Sequence, residues 1–239
     1  QVQAIANPDP QVQAVKQMPS LNEVIEREMA HLRDYQNDAL ARRYKALVDK
    51  VQLAEKAQTS STSLTLAVAE NYSKVLAYKD EYEVARQLTS TQFRKQLETQ
   101  FEGDLRLEFN LAPPLISRIN PATGRPRKRL FSEKVLPLFR LLAKMRSLRG
   151  TPLDLFGYGA DRRLERRLIS EYESDIQQLL PSLNNYSHPH ACELARLPAA
   201  IRGYGPVKEA AYDKAQQQRQ GLLARVSQTS DSQQPAPAL

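Results

Sequence analysis

Only one cysteine, Cys192, occurs in the 239 residues, and that scarcity removes several chemistries at once. One thiol cannot build a disulfide framework within the chain, nor an all-cysteine zinc or iron–sulfur site, and a reducing compartment is the natural expectation. No run of roughly 18 apolar residues is present, so no membrane-spanning helix is expected. The opening Gln1-Val-Gln-Ala-Ile-Ala-Asn-Pro-Asp-Pro10 lacks the charged start and apolar run of a secretory signal, and the expected location is the cytoplasm. Position 1 is Gln rather than Met, which fits a processed protein or a piece of a longer one. The sequence also has no nucleophile elbow, no phosphate-binding glycine-rich loop and no His-Glu zinc motif, so no catalytic residue and no metal ligand is assigned.

What is present is a globular chain with a localised charge. Hydrophobic residues make up 41%, and a chain of this length buries about 70% of its unfolded surface, so it folds without staples. The formal charge is +7, yet the stretch from Arg118 to Arg149 alone carries +9, with Glu133 its only acid, and the remainder nets −2. A basic excess confined to one stretch argues for a patch that meets something anionic rather than for general solubility.

Read for periodicity, residues 1–18 form an extended lead-in and structure starts at Ser20, whose spacing to Glu23 is that of a capping box. A helix is predicted from about 21 to 56 and a second, after Gln58-Thr-Ser-Ser-Thr-Ser63, through Leu64 to Ala85, the two long enough to pair. A short helix over 91–100 precedes the alternating Asp104-Leu-Arg-Leu-Glu-Phe-Asn-Leu111, the best strand in the chain. Partner strands are predicted at 115–119 and 128–131, joined by the turn Asn120-Pro-Ala-Thr-Gly124. Helices follow over 133–148, with Val135, Leu136, Leu138, Phe139, Leu142 and Met145 buried, then from Asp161 to about Leu180, 189–197 and 207–226. The expected fold is mainly α, about six helices with a small two- or three-stranded β element near residues 104–131. It forms one domain over 19–226, with a disordered tail over 227–239.

Seven segments carry a resemblance: Tyr44-Lys-Ala-Leu-Val48, Val75-Leu-Ala-Tyr-Lys-Asp-Glu-Tyr-Glu-Val-Ala-Arg86, Phe109-Asn-Leu-Ala-Pro-Pro-Leu115, Pro121-Ala-Thr-Gly-Arg-Pro-Arg-Lys-Arg129, Leu148-Arg-Gly-Thr-Pro152, Phe156-Gly-Tyr158 and Glu193-Leu-Ala-Arg-Leu-Pro198. In this order, across Ser20 to Arg225, they resemble the C-terminal domain of the single-chain indolepyruvate:ferredoxin oxidoreductases. The resemblance implies a parent enzyme that oxidatively decarboxylates arylpyruvates with thiamine diphosphate, magnesium, iron–sulfur clusters and coenzyme A, and reduces ferredoxin. None of these cofactors is expected in this chain, which has one Cys and no Gly-Asp-Gly for thiamine diphosphate. The implied role is a non-catalytic domain packed against the other domains or subunits. Two positions depart from the pattern: Asn110 stands where His is expected before Leu-Ala-Pro-Pro, and Pro206 where His is expected after Gly-Tyr-Gly, so a ligand role there does not carry over.

Arg125, Arg127, Lys128 and Arg129 are candidate anion ligands, and the resemblance makes coenzyme A the candidate anion, because guanidinium forks bond phosphate oxygens bidentately. An interdomain surface is the alternative for the same loop, and a merely solvated loop a third; for the whole basic stretch a nucleic-acid surface competes, with Phe131, Phe139, Phe156 and Tyr158 available to stack. Arg162 with Arg166, and Arg163 with Arg167, lie four apart on one helix and are candidate interface residues, since like charges at that spacing repel unless acids face them; a solvated helix face is the alternative. Ser187-His-Pro-His-Ala-Cys192 reads better as a helix start with a buried Cys192 than as a metal site. Asp80 and Glu83, three apart, read as a charged helix face rather than a catalytic pair. Two functions therefore stand: a docking domain of an oxidoreductase, or an independent basic module binding anions or nucleic acid.

Overall fold

A computed structural model describes residues 19–103, 106–112, 127–203 and 205–231. The fold is mainly α with a small antiparallel sheet, as the periodicity predicts. Among the described residues the helices are α1 (Leu21–Tyr35), α2 (Asp38–Gln58), α3 (Ser63–Leu76), α4 (Glu81–Leu88), α5 (Thr91–Gln100), α6 (Leu136–Lys144), α7 (Ala160–Leu179), α8 (His188–Arg196) and α9 (Pro206–Asp231). The strands are β1 (Glu108–Leu111) and β2 (Arg129–Ser132).

The predicted capping box closes α1: the Ser20 hydroxyl accepts from the Glu23 N–H at 3.3 Å and the Glu23 carboxylate accepts from the Ser20 N–H at 2.7 Å. Each of the two long predicted helices is broken in the structure. The first divides at Gln36-Asn37, where the Asn37 side chain accepts from the Leu40 N–H at 3.0 Å and starts α2. The second divides after Leu76, and Asp80 starts α4 by accepting from the Glu83 N–H at 2.9 Å. Apolar periodicity runs unbroken through both sites, so only the cap residues, Asn37 and Asp80, mark the breaks.

Most of the buried residues form one core contributed by α1, α2, α3, α7, α8 and α9. Its centre is a column of rings, Tyr44 on Tyr72 at 5.9 Å and Tyr72 on Tyr172 at 5.5 Å, both nearly parallel. Stacked pairs of this kind are worth about 0.5–1.5 kcal/mol beyond their buried area. The hydroxyls are satisfied: Tyr44 donates to the Ala69 carbonyl and Tyr172 to the Ala195 carbonyl, each at 3.1 Å, and Tyr72 donates to Glu173. Burial pushes all three phenols above the ordinary tyrosine range, so the column stays neutral.

A second, smaller cluster joins α4, the sheet and α6 around Ala85, Phe109 and Phe139. β1 and β2 pair antiparallel with Phe109 opposite Phe131 and Leu111 opposite Arg129. The strand predicted at 128–131 thus pairs directly with the one predicted at 104–111, and the strand predicted at 115–119 lies outside the described residues. α7 begins at Ala160 with Gly159 at its N-cap, so Asp161 sits in the first turn rather than capping it. α9 continues past the predicted end at Val226 to Asp231. No helix among the described residues is long and apolar enough to cross a membrane.

Candidate functional site

The stretch that carries the basic excess is divided by the fold into an inner and an outer part. Arg149, counted with the patch in the sequence, points inward. Its guanidinium forks onto Asp80, with Nε 2.5 Å from Oδ2 and Nη2 2.9 Å from Oδ1, and its third nitrogen donates to the Tyr35 carbonyl at 2.8 Å. The carbon of the guanidinium lies 3.7 Å from the Tyr35 ring centroid, and the Tyr82 ring flanks it at 5.6 Å. This pair is buried on both sides and fastens the segment after α6 to the caps of α1 and α4. Arg146 is half-buried and donates to the Asp34 carbonyl.

Arg127, Lys128, Arg129, Lys134, Arg140 and Lys144 remain on the outside, all exposed. Arg127, Lys128 and Arg129 therefore present their charges to solvent at the start of β2, while Arg125 lies outside the described residues. The four arginines of α7 do not share one surface. Arg163 and Arg167 are exposed, but Arg162 is drawn inward, 3.6 Å from Glu81 and 4.0 Å from Glu165, with its guanidinium 5.6 Å from the Tyr78 ring. Glu165 is also held by Lys208 at 2.5 Å, so the acid that relieves the Arg162–Arg166 repulsion comes from within the fold.

What sequence reasoning missed is the apolar content of the outer part. Leu138 was expected on the buried side of its helix; it is 53% exposed, and Leu141 is 55% exposed, because Phe139 and Leu142 take the inward face of the short α6. Leu130, Leu153, Leu155 and Tyr158 are each more exposed still, up to 69% at Leu153. Six of the ten large exposed hydrophobics among the described residues thus fall between 130 and 158. The signal was present in α6, where Leu138 and Leu141 are offset from Phe139 and Leu142.

The loop that carries Leu153 and Leu155 is braced from below. Asp154, buried between them, accepts from the Gly150 N–H at 2.9 Å, the Phe156 N–H at 3.2 Å and the Tyr82 hydroxyl at 3.1 Å. A Cβ at Gly157 would stand 2.7 Å from Asp154 Oδ2, so only glycine fits. Gly150 adopts φ 76°, a conformation open to glycine. The fold thus holds a polar anchor inside and two leucines outside in one braced turn.

The remaining sequence candidates have structural partners, except His190, whose buried Nδ1 has no hydrogen-bond partner among the described residues. Asp80 is committed to Arg149, and Glu83 to Arg86 at 2.7 Å and Gln87 at 2.7 Å, so the two carboxylates do not face each other. His188 starts α8 with Nε2 2.7 Å from Glu55 Oε1, and Cys192 Sγ lies 3.8 and 3.9 Å from the two ring nitrogens. Burial pushes the Cys192 thiol up to about 11, which keeps it protonated and poorly nucleophilic.

Residues 21–221 match a family of unknown function, DUF6537, and the chain belongs to that family. No curated protein and no solved structure matches the chain.

Proposed function

We propose that the chain is the C-terminal, non-catalytic domain of an indolepyruvate (arylpyruvate):ferredoxin oxidoreductase, and that it supports assembly of that enzyme in the cytoplasm. The observation that carries the docking part is the set of six large apolar side chains exposed between Leu130 and Tyr158, of which Leu153 and Leu155 flank the Asp154 brace. Exposed apolar surface concentrated in one place marks interaction sites on soluble proteins. The choice of oxidoreductase rests on the seven segments that resemble that family. Thiamine diphosphate, magnesium and the clusters belong to the other domains in this reading, since one Cys and no Gly-Asp-Gly are available here. Arg127, Lys128 and Arg129 are exposed and offer a coenzyme A phosphate direct access, with Arg125 their neighbour in sequence.

The test is to isolate the native complex through an antibody against this chain and assay it for reduction of a viologen dye. Activity that requires both indolepyruvate and coenzyme A supports the reading; a homogeneous complex without it refutes the reading. The independent anion- or nucleic-acid-binding module is favoured instead if the isolated chain is monomeric, shows no partner, and shifts single-stranded nucleic acid in a salt-dependent way.

A further inference from the structure

We propose that the outer face of α6, with the leading end of β2, docks an acidic, apolar-centred segment of a partner protein. This rests on the docking reading above and adds the chemistry of the surface that is met. On α6 the exposed residues are Pro137, Leu138, Arg140, Leu141 and Lys144. Leu138 and Leu141 are three apart and Arg140 and Lys144 four apart, so each pair shares a strip of helix surface. Lys134 precedes Leu138 by one turn, and Arg127, Lys128 and Arg129 stand exposed at the strand that packs beside the helix. Among the described residues none of these six cations has an ion-pair partner, and Glu133 is the only acid between 127 and 149.

An aliphatic centre with a cationic rim matches the anatomy of protein interfaces, where an apolar core is ringed by charge that complements the other side. Nucleic acid fits less well on this face: phosphate has no use for two leucines, and the rings of β2 and α6 cannot stack, since Phe139 is buried and Phe131 is half-buried against the hairpin cluster, which leaves Tyr158, in the loop after α6, as the one exposed ring among the four stacking candidates. A lipid surface also fits less well. α6 has 9 residues with only two leucines outward and no exposed aromatic, whereas interfacial helices carry a broad apolar face with aromatic anchors.

The experiment places p-benzoylphenylalanine at Leu141 in the chain expressed in its own cell, with the same label at Leu53 on α2 as an exposed control. Cross-linked peptides are then sequenced. The expected result is a discrete, net-acidic peptide joined from Leu141 and not from Leu53. Its yield falls about tenfold in R140E/K144E, because like charges are now juxtaposed. Circular dichroism of that variant checks that the helices persist. Adducts to nucleic acid or lipid, a neutral or basic peptide, or equal yields from Leu141 and Leu53 overturn the proposal. If the acidic peptide comes from a complex without oxidoreductase activity, the assignment to that enzyme fails while the docking face stands. If oxidoreductase domains are reached only from Leu53, the docking face fails while the assignment stands.

Discussion

Replacing Arg149 with Met should destabilise the protein more than any other single substitution in the basic stretch, although the sequence groups it with surface cations. The Asp80–Arg149 pair is closed to water on both sides, at 3% exposure each. Removing the guanidinium leaves the Asp80 carboxylate buried with only the Glu83 N–H as partner. Breaking a buried pair in this way costs about 3–5 kcal/mol, and loss of the contact with Tyr35 adds about 0.5–2 kcal/mol. In urea, with a slope near 2–3 kcal/mol per molar, these costs together should lower the unfolding midpoint by about 1–3.5 M. The companion variant D80N removes the charge and keeps a side-chain cap for α4, so the double variant R149M/D80N should be more stable than R149M alone. A midpoint shift below ~0.3 M for R149M, or a double variant no more stable than the single, would refute the argument that an uncompensated buried charge is the main cost.

Gly157→Ala forces a methyl against Asp154 and should cost about 1–3 kcal/mol, read as a lower melting temperature. The Leu153→Ser/Leu155→Ser variant should leave that temperature within a few degrees yet weaken recovery of the native complex, since both side chains are exposed; a large loss of stability would show that they belong to the core. Acid titration should expose the Glu55 contact. Burial raises its carboxyl, but the Thr65 hydroxyl, His188 and the N–H groups of Leu64 and Thr65 more than offset this and hold it below the ordinary value. A depressed folded-state value gives stability that is complete above the unfolded value of about 4.3 and is lost as pH falls through the folded value. Glu55→Gln should therefore flatten the stability profile below about pH 4.5, and an unchanged slope would exclude Glu55 as a contributor. Calorimetric titration of coenzyme A with the wild-type chain and with R127A/R129A checks the loop: saturable binding lost in the variant supports coenzyme A recognition, and no heat at about millimolar ligand removes it.

The sequence determined the local content of this protein. The Ser20–Glu23 box, the 91–100 helix and the alternation around Phe109 are all local codes, set by a few adjacent residues. Cys192 on the inner face of α8 was legible for the same reason. Tertiary structure decided what the same residues are used for. Periodicity marks a residue as apolar or charged but not which neighbour it meets, so Leu138 read as core and Arg149 as surface. Arg149 is internal only because Asp80, Tyr35 and Tyr82, 67 or more positions away, close around it. Leu138 is external only because the second cluster is small and Phe139 and Leu142 already fill it. The apolar surface at Leu138 and Leu141 and the brace beneath Leu153 and Leu155 depend on contacts distant in sequence, which composition and spacing do not encode.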